Sequence, residues 1–128
     1  MLYKIFVLLG MIFAHVADDY YLQGWLASAK QKDWWKKNCP EPMYSCDYIW
    51  ALLMHSFSWA FDVMLVPTIY LMLHSNCDMQ ILHFFIGNLA THMIVDHLKA
   101  NLKIINLIED QLFHMVQIFL TWAVLVAW

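Results

Sequence analysis

The sequence predicts an all-α integral membrane bundle of about four transmembrane helices in a single domain. Composition is the first reason. Hydrophobic residues make up 62% of the 128 residues and charged residues only 13%, whereas soluble domains contain about 25% charged residues. A small soluble domain leaves much of its surface exposed and could not bury this much apolar area. A lipid bilayer removes that conflict.

Four apolar segments are the second reason, because each is close to the length of about 20 residues that a bilayer span requires. They cover residues 2–26, 46–66 with a continuation to 73, 79–100 and 105–128. Pro67 lacks an amide donor and crowds the preceding turn. The second helix is therefore predicted to be kinked or broken near Pro67.

Residues 27–45 form the one long polar connection and are predicted to lie at the membrane interface. This connection contains four Lys, and the short turn between the third and fourth segments contains Lys99 and Lys103. In a four-helix topology both connections lie on one side, which the positive-inside rule makes cytoplasmic. Lys4 alone argues for the reverse. We therefore expect a multi-pass protein of the bacterial inner membrane with both termini outside.

Several classes of protein are disfavoured. The few, scattered Lys give no footprint for nucleic acid. The three Cys form no CxxC, and Cys39 could pair with Cys46 only if their connection faced an oxidising compartment.

The N-terminal apolar segment imitates a signal peptide. At least three further apolar segments follow it, and we expect it to remain as the first span.

Three His–Asp pairs stand four residues apart, a spacing that places both side chains on one helix face. They are His15/Asp19, His92/Asp96 and Asp110/His114. Chance predicts about one such pair in the chain, and we interpret His74/Asp78, at the opposite end of the helices, as that one. At 1.5 Å per residue, His55 and the three pairs lie roughly 5–15 Å from the predicted cytoplasmic ends of four helices, except that His15 lies slightly deeper.

This common depth predicts a functional site. An unpaired Asp inside a bilayer costs about 2.5–3.5 kcal/mol on the insertion scale, so three of them need partners or a metal. Imidazole and carboxylate suit zinc, manganese or iron, and seven such groups can hold two divalent ions with an open position. The predicted metal ligands are His15, Asp19, His55, His92, Asp96, Asp110 and His114.

Three further residues are predicted to belong to a catalytic site. Lys99, one turn past Asp96, and Lys30 could each bind a substrate anion, although both could equally extend toward the interface. Gln23 could orient a ligand, or it could form an ordinary interhelical hydrogen bond. Asp18 points about 100° away from Asp19 on an α-helix and is expected outside the cluster.

At these residues the chain resembles a family of small bacterial and bacteriophage membrane proteins, the domain of unknown function 3307. The motifs H-x-x-x-D-[FY]-x-L-Q, T-H-x-x-x-D-x-x-K and D-Q-x-x-H, with an isolated Lys and an isolated His, match His15, Asp19, Tyr20, Leu22, Gln23, Lys30, His55, Thr91, His92, Asp96, Lys99, Asp110, Gln111 and His114. The resemblance covers almost the whole chain, although DDYY here replaces a single Asp before the aromatic residue.

The resemblance implies a membrane location and the importance of these residues, but no reaction. A weaker similarity to inner-membrane metal-dependent hydrolases, which also have paired His and Asp on apolar helices, implies hydrolysis. We therefore expect a metal-dependent hydrolase of a phosphoester or pyrophosphate, including a lipid-linked one, at the cytoplasmic leaflet. The expected partners are the bilayer and a phosphate-bearing lipid or small molecule, without nucleic acid.

Two alternatives stay open. In one, the same His and Asp side chains relay ions, protons or a metal across the membrane. In the other, the chain is a non-catalytic interaction protein and the cluster only fixes helix packing. A homodimer is compatible with all three readings, because four short helices enclose a small interior.

Overall fold

The computed structural model describes residues 2–74 and 79–128, which are mostly helical and contain no β-strand. The α-helices are α1 (Leu2–Ala17), α2 (Leu26–Ala29), α3 (Lys32–Asn38), α4 (Asp47–His74), α5 (Met79–His97) and α6 (Leu107–Trp122). The π-helical turns Asp18–Leu22, Leu98–Leu102 and Ala123–Ala127 continue α1, α5 and α6, and a 3₁₀ turn spans Pro42–Tyr44. The predicted all-α helical bundle is confirmed.

Three of the described helices are long and apolar enough to cross a membrane. They span Leu2–Leu22, Pro42–His74 and Leu107–Ala127. Helix α5 has the length of a span, but polar residues such as Asn88 and His92, which are buried inside the bundle, lower its mean hydropathy. Large apolar side chains cover the outer surface; Phe13 and Leu112, for example, are 74% and 59% exposed. Such a surface is typical of a protein in lipid.

Helix α4 runs as one element from Asp47 to His74 with Pro67 inside it. The second predicted segment is therefore a single helix, and the predicted alternative of two separate pieces is not realised. Helix α1 packs closely against α4 at Gly10, where an added Cβ would lie 2.9 Å from Val66 Cγ1. The glycine allows this approach because it has no side chain.

The turn between α5 and α6 is short and well capped, which makes these helices antiparallel neighbours. Lys103 adopts a left-handed conformation with φ of 57° and ends the π-helical turn. The Asn106 side chain then accepts hydrogen bonds from the backbone N–H groups of Ile108 and Glu109, and the Glu109 side chain accepts one from the Asn106 backbone. This capping box satisfies donors that would otherwise lack partners at the start of α6.

The two Lys-rich connections lie at the same end of the bundle and contact each other. The Asn101 side chain accepts a hydrogen bond from Lys32 N at 2.6 Å and donates one to the Lys30 carbonyl at 3.0 Å. Lys103 Nζ lies 2.7 Å from Asp33 Oδ2. This hydrogen bond and the charge of Lys103 lower the pKa of Asp33 below its ordinary value. The predicted connection at residues 27–45 therefore folds into short helices that dock on the other turn.

Among the described residues, Cys39 and Cys46 are free thiols, so the disulfide considered above is not formed. Cys77 and Asp78, the second member of the fourth His–Asp pair, lie outside the described residues.

The core has an apolar part and a polar part. Val7 and Met11 of α1 pack with Trp59 and Val63 of α4 and with Ile118 of α6 in the apolar part. The same helices continue toward the connections at residues 26–46 and 103–106, where their buried side chains become polar.

Candidate metal centre

All seven predicted metal ligands come together in the polar part of the core. Asp19 is 7% exposed and the other six are 0% exposed, so the cluster is shielded from solvent. The side chains come from α1 with its π-helical turn, and from α4, α5 and α6. Four different helices therefore supply the site at one level, as helix depth predicts.

The tightest group surrounds the Nε2 atom of His55. This atom lies 3.2 Å from His92 Nε2, 3.3 Å from Asp19 Oδ1 and 3.2 Å from Asp96 Oδ2. His92 Nε2 lies 3.9 Å and 3.8 Å from the same two carboxylate oxygens. Tetrahedral ligands about 2.0–2.1 Å from a zinc ion are separated by about 3.3 Å. The Nε2 atoms of His55 and His92 therefore lie about as far from each other and from these two oxygens as zinc ligands do, and Asp19, His55 and His92 together form a group that could hold a metal ion.

A second group surrounds His114. Its Nε2 atom lies 3.7 Å from Asp96 Oδ1 and 3.5 Å from Asp110 Oδ1. Ligand atoms of Asp19, Asp110 and His114 also lie within 4.8 Å of one another. Asp96 thus directs one oxygen to each group, as a carboxylate that bridges two ions does.

The atoms that face one another in these groups include several without hydrogen-bond partners. Within residues 2–74 and 79–128, the partnerless buried atoms include Asp19 Oδ1, Asp96 Oδ1, Asp110 Oδ1 and His114 Nε2. Burying a polar group without a partner is costly, and native proteins rarely leave such atoms unsatisfied. A divalent cation would satisfy oxygen and nitrogen acceptors together. The cluster can therefore hold a metal ion.

Both predicted lysines reach the cluster. Lys30 is buried and its Nζ lies 2.6 Å from Asp96 Oδ2. Lys99 Nζ forms a close ion pair with Asp110 and lies 3.8 Å from Asp96 Oδ1. The buried carboxylates in this part of the core are those of Asp18, Asp19, Asp96 and Asp110. With the imidazoles neutral, the two ammonium groups balance two of these four negative charges, and two remain unbalanced. The charge of a divalent cation would offset these two.

The structure places Asp18 inside the cluster, although the sequence predicted that it lies outside. It is 1% exposed, accepts a hydrogen bond from Ser58 Oγ at 2.6 Å, and places Oδ2 3.5 Å from His55 Nδ1. The reason is local, because Asp18 begins a π-helical turn whose wider winding turns two successive carboxylates inward. A carboxylate behind the second nitrogen of an imidazole is a common support for a metal-binding His.

Gln23 does not contact a cluster side chain through its amide nitrogen. Its Nε2 donates a hydrogen bond to the backbone carbonyl of Asp19, one turn earlier. Gln23 therefore holds the backbone of the π-helical turn, and this contact gives it no direct catalytic role.

Trp59 is an important neighbour that the sequence reasoning missed. Its ring centroid lies 4.2 Å from that of His92, and the His92 centroid lies 4.2 Å from that of His114. Trp59 also touches His114, with ring centroids 5.5 Å apart and planes tilted by 44°, so the three rings pack against one another. The available signal was spacing, since Trp59 follows His55 by four residues and so shares its helix face.

His15 joins the cluster, but both of its ring nitrogens are already engaged. Nδ1 accepts a hydrogen bond from Trp59 Nε1 at 2.7 Å, and Nε2 lies 3.0 Å from Gln111 Oε1. The Gln111 amide nitrogen lies 3.1 Å from Asp19 Oδ2 and 3.0 Å from Asp110 Oδ2. In this geometry His15 is not placed as the metal ligand that the sequence predicted, because neither of its ring nitrogens is free to bind an ion.

A cavity of about 490 Å³ lies between α5 and α6, beside the polar core. Most of its exposed surface is apolar, with Phe84, Phe113 and Leu120 among the lining residues, although polar residues such as His83, Thr91 and Gln117 line it as well. Asn88 and Thr121 also line it, and the Asn88 amide donates a hydrogen bond to the Thr121 hydroxyl at 3.0 Å.

No known protein family, no curated protein and no solved structure matches this chain. The resemblance to the domain of unknown function 3307 therefore stays a prediction from the motifs.

Proposed function

We propose that the chain is a membrane-embedded, metal-dependent hydrolase of a phosphoester or pyrophosphate, with zinc the first candidate metal and manganese and iron next. The observation that best supports it is the position of Asp96 between two groups of buried ligands. Metal ions bound there would polarise a phosphoryl oxygen and lower the pKa of a water molecule. The ligands we assign are Asp19, His55, His92, Asp96, Asp110 and His114.

The two lysines have a dual role in this proposal. Without metal, Lys30 and Lys99 neutralise Asp96 and Asp110. Once the carboxylates bind metal, the ammonium groups become available to phosphate oxygens, for which they are suitable donors. The Lys99 side chain is 24% exposed and that of Lys30 only 7%. Lys99 is therefore the more accessible of the two to an incoming phosphate.

We further propose that α5 is the fourth membrane span, with its polar residues turned toward α4 and α6. Both Lys-rich connections would then face the cytoplasm and both termini the outside of a bacterial inner membrane. The cavity between α5 and α6 would receive a hydrocarbon chain of a lipid-linked substrate, because its lining is mostly apolar. Membership in the domain of unknown function 3307 belongs to the same proposal.

A second candidate function is conduction of protons or ions. The observation that favours it is the continuation of buried polar side chains beyond the cluster along α5 and α6. Gln117 donates to the Asn88 carbonyl at 2.7 Å, and Asn88 bonds Thr121 at 3.0 Å. Polar residues inside a membrane bundle often mark such pathways.

One experiment separates the two candidates. Protein purified gently into nanodiscs is analysed for bound metal by mass spectrometry. It is then assayed on phosphatidic acid, a polyprenyl pyrophosphate and a soluble aryl phosphate. His92→Ala should lose metal and turnover, while His74→Ala, which alters an exposed His at the end of α4 away from the cluster, should retain both. A protein with neither metal nor turnover, but with ion flux in liposomes that His92→Ala abolishes, would favour conduction.

A further inference from the structure

The hydrogen bonds around His15 permit only one assignment of protons. An indole N–H can only donate, so His15 Nδ1 must accept from Trp59. A neutral imidazole with an accepting Nδ1 has its proton on Nε2, which therefore donates to Gln111 Oε1. The amide nitrogen of Gln111 then faces Asp19 and Asp110, which can only accept while ionised.

We infer that His15 is a positioning residue: it anchors a hydrogen-bond chain from Trp59 through Gln111 that orients the carboxylates of Asp19 and Asp110 for metal. This inference rests on the metal site proposed above. It assigns His15 a role outside the ligand set, and it adds Trp59 and Gln111 to the residues on which the site depends.

The chain divides the oxygens of the two carboxylates between two tasks. Gln111 engages Oδ2 of Asp19 and Oδ2 of Asp110. The remaining Oδ1 atoms lie 3.3 Å from His55 Nε2 and 3.5 Å from His114 Nε2, respectively. One amide group thus fixes the rotation of a carboxylate from the π-helical turn after α1 and of another from α6. Outer hydrogen bonds of this kind orient metal ligands.

A ligand role for His15 would require losing part of this chain. Coordination through Nδ1 would displace the Trp59 N–H, and coordination through Nε2 would displace Gln111. Either change would leave a buried polar group without its hydrogen-bond partner, which is energetically unfavourable.

The direct test is nitrogen NMR on protein labelled with ¹⁵N-histidine in micelles, recorded with and without Zn²⁺. We expect His15 to show a protonated Nε2 and an unprotonated Nδ1 in both spectra. The Nε2 signals of His55, His92 and His114 should shift on addition of Zn²⁺. A metal-induced shift of either His15 nitrogen, or a proton on Nδ1 without metal, overturns the inference. If no His responds to Zn²⁺, the proposed metal site fails, while the metal-free His15 spectrum still decides the proton assignment.

Variants test the positioning role. Gln111→Leu should weaken Zn²⁺ binding by about 10–100-fold, as loss of an outer hydrogen-bond partner does. His15→Phe should cause a similar loss alone and little more in the Gln111→Leu background, since both remove one chain. Gln117→Leu, on the same helix but outside the chain, is the matched control and should bind Zn²⁺ normally. Additive losses from His15→Phe and Gln111→Leu in protein of normal helix content would contradict the chain.

Discussion

The buried ion pair between Lys30 and Asp96 provides the sharpest test of how the cluster is stabilised. The two charges lie 2.6 Å apart, with side-chain exposures of 7% and 0%. Asp96→Asn leaves the Lys30 ammonium in the core without its anion. Breaking a buried pair on one side costs about 3–5 kcal/mol. We expect the free energy of unfolding of the metal-free protein to fall by that amount.

The double variant separates this pair from other effects of Asp96. Lys30→Met removes the uncompensated charge, and replacing both members of a buried pair with neutral groups is often close to neutral. Adding Lys30→Met to Asp96→Asn should therefore restore most of the lost stability. The coupling between the two changes should then be about 2–3 kcal/mol, in the upper part of the range for residues in contact.

A second pair in the same protein is a matched control. Lys103 and Asp33 lie 2.7 Å apart, but their side chains are 69% and 61% exposed. Asp33→Asn and Lys103→Met should change stability little, alone or together, because solvent screens an exposed pair. The two cycles differ chiefly in burial, since the distances are nearly equal.

The assay is reversible unfolding of chelator-treated protein in mixed micelles, followed by circular dichroism as the fraction of denaturing detergent increases. The reasoning is refuted if Lys30→Met fails to rescue Asp96→Asn, or if the exposed pair couples as strongly as the buried one. Repeating the series with Zn²⁺ should enlarge the effect of Asp96→Asn, since the variant also loses a proposed metal ligand.

Three further predictions concern other parts of the molecule. Asp18→Asn should weaken Zn²⁺ binding by about 10–100-fold in a chelator competition, without loss of helix, because it removes the support behind an imidazole. Gly10→Ala should lower the free energy of unfolding by about 1–3 kcal/mol through overpacking against α4. Gly87→Ala is the control, because its Cβ meets nothing within 4 Å in the described part of the chain, and it should raise the free energy of unfolding by up to about 1 kcal/mol. Equal effects of the two variants in denaturation would contradict this. The hydrogen bond and charge of Lys103 lower the pKa of Asp33, so their stabilisation is present above the unfolded pKa and lost as pH falls through the folded one. Lys103→Met should raise that pKa in a carbon NMR titration, and an unchanged value would exclude the ion pair.

Much of the site is predictable because helix geometry is simple. A spacing of four puts His92 with Asp96 and Asp110 with His114 on one face, and depth along each helix places His55 at the same level. The structure brings all of these side chains into contact distance of the cluster. Periodicity and depth alone were sufficient for that result, because neither depends on which side chains meet between helices.

The role of His15 and the burial of Asp18 were not predictable in this way. The partners of His15 are 44 and 96 residues away in sequence, and only the packing of three helices brings them to its ring. The inward direction of Asp18 depends on a π-helical turn, which has no clear sequence signature beyond the unusual pair of successive aspartates. Spacing rules assume regular α-helix and fail where the winding changes.

The contacts of Trp59 with His92, on which it stacks, and with His114 have a consequence for observing the protein. An imidazole that is protonated or bound to a cation is attracted electrostatically to the π electrons of an adjacent indole, as in other cation–π contacts. Binding of a cation at these histidines should therefore quench the fluorescence of Trp59, which is 0% exposed and already dry. Comparison with Trp59→Phe, which keeps a ring in the stack, would isolate its signal from the other six tryptophans. The protein thus contains an optical reporter beside its own cluster, with no label to attach.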